Sequence, residues 1–322
     1  MPTATLFIPT WNGLPELEDV LRGVERQPGA HELERYAIDS GSSDGTIQCL
    51  KDHGFRVDSI PQLEFNHGTT RDLGIQRTEG EIICLLTQDA IPANEQWLEQ
   101  LLGSYDDTAI AAAYCRQLPR DDCNPFIAHR LREWTAGKTE PVIQRLEPGQ
   151  ALTDLEPLQR LQLCAFDNVA SSLRRTIWDQ FRYGYRRFGE DVALGKRLIE
   201  SGHSILFQAR SEVIHSHNRS PRAEGQRIYC DHSNLRALFD VHLVPDAAAL
   251  RGNIEWAQRE YGRQVDELGL PPEQHSELRQ WAVDYAKWSA FGMYWGGNFS
   301  DFQTRPRAER MQRLDDVLRR GI

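Results

Sequence analysis

His215 and His217 stand one residue apart at the end of a strand-like run, SEVIHSH. In an extended chain alternate side chains leave on the same side, so both rings face one way, as a pair of metal ligands would. Imidazole suits Mn²⁺ and other transition ions. A lone strand-end histidine would be read as structural, and it is the pair that argues for ligation. A carboxylate of the same promise is Asp89, which follows the apolar run EIICLL through Thr87 and Gln88 and precedes Ala-Ile-Pro rather than a simple tight turn. A hard ion such as Mg²⁺ or Mn²⁺ takes one or two protein carboxylates and completes its shell with phosphate oxygens and water. The competing role for Asp89, a cap for the helix NEQWLEQLL, falls more naturally to Asn94, which lies closer to that start.

Other polar residues gather at the ends of apolar runs. Pro9-Thr10-Trp11-Asn12-Gly13 ends the first and Asp39-Ser40-Gly41 the second. Asn and Asp are also ordinary turn residues, so Asn12 and Asp44 carry little weight alone. Asp39 directly ends its strand, where its carboxylate is placed to accept the imide N–H of a uracil or thymine. Gly189-Glu190-Asp191 opens a helix whose Leu194, Leu198 and Ile199 face the core. Acids in a first turn are favoured by the helix dipole, which would also keep a carboxylate ionised, as a general base must be. Helix-start acid and base both remain open for Asp191.

These residues need a scaffold that brings strand ends to one rim. Short apolar runs alternate with helix-like stretches over the first hundred residues: TLFIPT, RYAIDS, FRVDSI and EIICLL as strands, with helices between them. That is the pattern of an α/β fold, a mostly parallel sheet flanked by helices. EIICLL lacks polar alternation, so it is predicted to be central and buried on both faces. In such sheets ligands bind outside the carboxyl ends of the strands. Residues 120 to 160 show no clear period and read as an irregular insertion. Beyond about 225 only helical patterns follow, so the expected division is an α/β domain over 1–225 and a helical C-terminal extension over 226–322.

The motifs FNHGTTRDLG (65–74), LLTQDAIP (85–92), FDNVASSLRR (166–175), GEDVALGKRL (189–198) and VIHSHN (213–218), in that order, resemble the GT-A fold inverting glycosyltransferases of family 2, and within them the bacterial rhamnosyltransferase-like branch. The likeness covers about residues 3 to 220. It implies a GT-A, Rossmann-like nucleotide-binding domain. It also implies that Pro9, Thr10, Asn12, Asp39, Arg71 and Gln88 hold a nucleotide-diphosphate sugar. Asp89 then matches the last position of the D-x-D motif and binds Mn²⁺ or Mg²⁺ on the diphosphate, with His215 completing the site and His217 as a second candidate. Asp191 matches the catalytic base, with Glu190 beside it. Thr87 replaces the first Asp of D-x-D, leaving a single carboxylate that Gln88 and His215 would have to support.

The implied reaction is an in-line displacement in which Asp191 deprotonates an acceptor hydroxyl of a polysaccharide or lipid-linked glycan. The branch favours dTDP-rhamnose as donor, with a UDP-sugar as the alternative. Trp178, Phe181, Tyr183 and Tyr185 are placed either to wall the acceptor site or to pack the core. The competing functions are a metal-dependent hydrolase using His215, His217 and Asp89, and a non-catalytic nucleotide-sugar or glycan-binding protein.

Composition agrees with an enzyme of this kind. The chain has 322 residues, 40% of them apolar and 26% charged, with a net charge of −10, which speaks for a globular protein and against nucleic acid as a partner. Six scattered cysteines without a C-x-x-C pair suit a reducing, cytoplasmic setting. No signal peptide and no spanning apolar run is apparent, so any membrane contact is expected to be peripheral, at the inner face. The basic, aromatic stretch RRTIWDQFRYGYRR (174–187) is either a solvated face or a surface for an anionic substrate or lipid headgroups, and WSAFGMYWGGNF (288–299) either packs the helical tail or faces lipid or a second subunit of a homo-oligomer.

Overall fold

The structure, a computed structural model, describes residues 3–303 and 308–319. Its contacts divide the chain after His217. The first unit carries strands β1 (Ala4–Thr10), β2 (Glu34–Asp39), β3 (Arg56–Ser59), β4 (Ile82–Leu86), β5 (Ile91–Pro92), β6 (Ile110–Leu118), β7 (Val142–Gln144), β8 (Ala170–Arg174) and β9 (Ser204–Ile214). Its helices are α1 (Glu16–Glu25), α2 (Thr46–Asp52), α3 (His67–Gln76), α4 (Trp97–Gly103), α5 (Pro125–Glu133), α6 (Pro157–Leu163), α7 (Arg175–Trp178) and α8 (Glu190–Glu200).

The strands form one sheet in the order β3-β2-β1-β4-β8-β6-β9-β5, with β7 paired on β9. The expected parallel sheet is present as β3-β2-β1-β4. β4 is buried along its whole length, because it lies between β1 and β8 and both its faces are covered. β8 then runs antiparallel to both β4 and β6, and β9 pairs parallel with β6. An antiparallel strand starts where its neighbours end. The residues just before β8, Asp167 and Asn168, therefore share a rim with the carboxyl ends of β4, β6 and β9.

Apolar side chains of β1, β4 and β6 pack with Leu17, Val20, Leu21 and Val24 of α1 and with Trp97, Leu98 and Leu101 of α4 in one core. The strand-like run SEVIHSH begins inside a longer strand, β9, whose register against β6 shifts between Cys115 and Arg116. The segment 120 to 160 holds α5, β7 and α6. Each is too short to show a period, and Pro125 and Pro157 open the two helices where a missing N–H costs nothing.

In the second unit the helices are α9 (Pro221–Phe239), α10 (Ala247–Glu267), α11 (Pro272–Gly297), α12 (Phe299–Gln303) and α13 (Ala308–Leu318). Pro221 and the Ser220 hydroxyl, which accepts from Ala223 N–H, start α9. The stretch 288–299 packs α11 against α9: a Cβ on Gly292 would come within 2.5 Å of the Gly225 carbonyl, and one on Gly296 within 2.5 Å of the Tyr229 carbonyl. No helix among the described residues is long and apolar enough to cross a membrane.

Candidate active site

Asp89, His215 and His217 are brought together by β5. After β4 the chain passes Asp89 and pairs Ile91 and Pro92 with Ile214 and Val213 of β9, so Asp89 is held beside the residues that follow β9. Asp89 Oδ1 lies 3.6 Å from His215 Nε2, and Oδ2 lies 3.3 Å from His217 Nε2. The three donor atoms fall within 4.8 Å of one another. An octahedral Mn²⁺ or Mg²⁺ about 2.1 Å from each donor sets neighbouring ligands about 3.0 Å apart, so the two Asp89–imidazole separations are within a few tenths of an ångström of a ligand set, and the rings need to close further on each other around an ion. The residues fit a divalent ion. Burial acts to raise the Asp89 carboxyl, but the two imidazoles and Thr87 outweigh it and hold it below its ordinary value.

The remainder of the T-Q-D segment contributes no metal donor in this arrangement. Thr87 donates its hydroxyl to the Val169 carbonyl, extending the β4–β8 ladder. Gln88 spends both ends of its amide on one peptide, accepting from Trp11 N–H at 2.9 Å and donating to the Trp11 carbonyl at 3.0 Å. It thereby ties the end of β4 to the segment after β1.

The nucleotide residues are likewise bonded to one another. Asp39 is fully buried and accepts from Gly41 and Ser42 N–H and from the Thr10 and Ser42 hydroxyls. A carboxylate offers about four acceptor positions, and these four bonds close the turn after β2 on Asp39. Asn12, at φ 44°, accepts from Ser43 N–H through its side chain and donates its own N–H to Ser42. Pro9 is half-buried in β1, opposite Ile38, and Trp11 remains 48% exposed. Thr10, Asn12, Asp39 and Gln88 thus build a frame, and Arg71 is not part of it.

Arg71 lies instead in the interior, 2.5 Å from Glu190. In this arrangement Arg71 ties α3 to α8. Asp72 accepts from Trp178 Nε1 and from Tyr183 and Gly184 N–H, Asn66 Nδ2 donates to the Arg186 carbonyl, and a Cβ on Gly68 would sit 2.0 Å from the Gly184 carbonyl. Trp178 and Tyr183 are consequently buried packing, while Tyr185 is 70% exposed. Phe181 stacks edge-on against His203.

Asp191 accepts from Asn168 N–H at 3.2 Å and from Val192 N–H at 2.8 Å. Burial, then the charges of Glu190 and Asp167, push its carboxyl up to about 8. The helix start was expected to keep it ionised, and here the low dielectric and two neighbouring acids win. Burial also acts to raise Glu190, but Arg71 outweighs it and holds Glu190 ionised below its usual range. Two adjacent carboxyls with opposed shifts are a recognised mark of acid–base chemistry.

Four contributors escaped the sequence. Asp72 and Asn66 sit in a motif whose arginine drew the attention. Arg120 donates to the Asp89 carbonyl at 2.8 Å, and Gln117 bonds His215. Their only sequence signal was position at the end of a strand.

The family model for Glycosyl transferase family 2 matches residues 5–162. The O-antigen chain rhamnosyltransferase RfbN of Salmonella typhimurium is 29% identical over 263 residues, spanning 80% of this chain and 75% of that protein. WbaN of Salmonella anatum, of the same description, is 29% identical over 81% of this chain and 76% of its own. Among solved structures, the mannosyltransferase PcManGT of Pyrobaculum calidifontis, in complex with GDP-Man and Mn²⁺, superposes with a TM-score of 0.51 at 14% identity, covering 98% of this chain and 80% of that one. S. aureus TarS 1–349 gives 0.52 at 11% identity over the same shares. With a GT-A fold, a match to the family 2 model over residues 5–162 and rhamnosyltransferase relatives along most of its length, the chain carries a glycosyl transferase family 2 domain and is a glycosyltransferase.

Proposed function

We propose that the chain transfers L-rhamnose from dTDP-rhamnose, or failing that a hexose from a UDP-sugar, to a hydroxyl of a polysaccharide or lipid-linked glycan, with inversion at the anomeric carbon. The observation that carries this is the raised Asp191 carboxyl on the rim that also holds the Asp89, His215 and His217 cluster. The names of the Salmonella relatives supply the choice of sugar.

Asp191 takes the proton of the acceptor hydroxyl as its oxygen attacks the anomeric carbon, and the bond to the nucleoside diphosphate breaks on the opposite face. The Asn168 N–H steers one Asp191 oxygen, and Glu190 stays ionised on Arg71, so the proton goes to Asp191. A Mn²⁺ or Mg²⁺ held by Asp89, His215 and His217 would neutralise charge on the departing diphosphate. Arg120 keeps a guanidinium beside the Asp89 backbone. The Thr10–Asn12–Asp39–Gln88 frame holds Trp11 and the two turns rigid where the nucleoside docks. A lipid-linked acceptor would be met at a membrane surface.

The test incubates the full chain with dTDP-rhamnose, UDP-hexoses and GDP-mannose, each with and without Mn²⁺ and a lipid-linked glycan acceptor. Inverted glycoside formed only with acceptor is expected. Sugar release without acceptor, unchanged in Asp191→Asn, would overturn the proposal, as would the absence of a thermal shift with every donor.

A further inference from the structure

Gln117 lies near the end of β6, buried, opposite Val213 of β9. Residues 213 and 215 leave an extended strand on the same face, which brings the His215 ring to the Gln117 side chain. Gln117 Oε1 is 3.0 Å from His215 Nδ1. Its other end, Nε2, donates to Asp167 Oδ2 at 2.7 Å, and Asp167 Oδ1 accepts from Val169 N–H at 2.9 Å.

We propose that Gln117 and Asp167 are positioning residues that set the tautomer of His215, keeping the proton on Nδ1 and the lone pair on Nε2, the atom that faces Asp89. The proposal rests on the metal role of Asp89, His215 and His217. An amide is nearly symmetric in shape but not in chemistry. A carboxylate only accepts, so Asp167 must meet the NH₂ end of Gln117, and the carbonyl end is left for His215. That carbonyl also only accepts, so Nδ1 must carry the hydrogen. A neutral imidazole has one N–H, so Nε2 then carries the lone pair that ligates.

The device has an opponent. Asp89 Oδ1 stands 3.6 Å from Nε2 and attracts a proton to it, which would block the ligand atom. Asp167 acts through Gln117 to hold the proton at the far nitrogen, so the ring is in its ligating form before an ion arrives. Partners of this kind, one bond removed from the ion, are worth roughly 10- to 100-fold in metal affinity.

The first measurement uses the unaltered full chain without metal. A long-range ¹⁵N–¹H spectrum at a pH where imidazole is neutral is assigned by comparison with His215→Gln. A protonated Nδ1 is expected, and a protonated Nε2 overturns the proposal. In the second, Mn²⁺ alone is titrated and the free ion is followed by electron paramagnetic resonance. Gln117→Leu is expected to bind roughly 10- to 100-fold more weakly with its circular dichroism unchanged. Asp167→Asn, which lets Gln117 turn either end inward, should populate the Nε2–H tautomer. Unchanged Mn²⁺ affinity in a folded Gln117→Leu overturns the proposal. Should Asp89→Asn bind Mn²⁺ as well as the parent chain, the metal reading falls, while the His215 spectrum still decides the tautomer.

Discussion

Arg71 of α3 and Glu190 at the first turn of α8 form an ion pair at 2.5 Å with side chains only 4% and 9% exposed. The pair fixes the residue next to the base from the opposite half of the domain, 119 positions away in sequence. Breaking one member leaves a buried charge without its partner, which typically costs about 3–5 kcal/mol. Arg71→Met should lose that much in urea unfolding. Glu190→Gln should also move the acid limb of the transfer rate to lower pH, because it removes one of the two charges that raise Asp191.

Transfer by the parent chain should rise with pH through about 8, where Asp191 releases its proton. Asp191→Asn should lower the rate by roughly 10²- to 10⁴-fold while the thermal shift with donor is retained. Stability follows the same group with a definite sign. The native state binds this proton more tightly than the unfolded chain does, so the contribution of Asp191 is full below the ordinary carboxylate range and is lost as pH rises through the folded value. Unfolding midpoints measured from pH 4 to 9 should show a decline that Asp191→Asn lessens.

Gly68→Ala tests the seat of the 182–187 loop. A Cβ there would meet the Gly184 carbonyl at 2.0 Å, and both partners are backbone. A loss of about 1–3 kcal/mol is expected, with transfer impaired and Mn²⁺ binding kept, since Asp89, His215 and His217 follow β4 and β9 and none lies on α3 or in the 182–187 loop.

Gln88→Ala should act on the donor and not on the chemical step. Both its hydrogen bonds serve the Trp11 peptide. Their loss should raise the donor KM roughly tenfold with kcat little changed, as expected for interactions equal in ground and transition states.

The local pattern of the chain was enough for a good deal. The apolar run of β4 marked a strand buried on both faces, and Asp89 at its end was singled out by that context alone. The spacing of His215 and His217 placed both rings on one side, and the two do converge on Asp89. Period and cap residues also marked α8 and the helical second unit, because they depend on neighbours within a few positions.

What escaped depends on contacts between residues far apart in sequence. Nothing local says that β8 runs antiparallel, and only that direction carries Asp167 and Asn168 to the rim. The bonds that the turn after β2 makes to Asp39, and the Glu190 that α8 brings against Arg71, are likewise set by the fold and not by flanking residues. The charge state of Asp191 is of the same kind. A helix start favours the ionised form, but burial beside two acids reverses the balance, and the dielectric around a carboxyl is set by everything folded about it rather than by the residues that flank it.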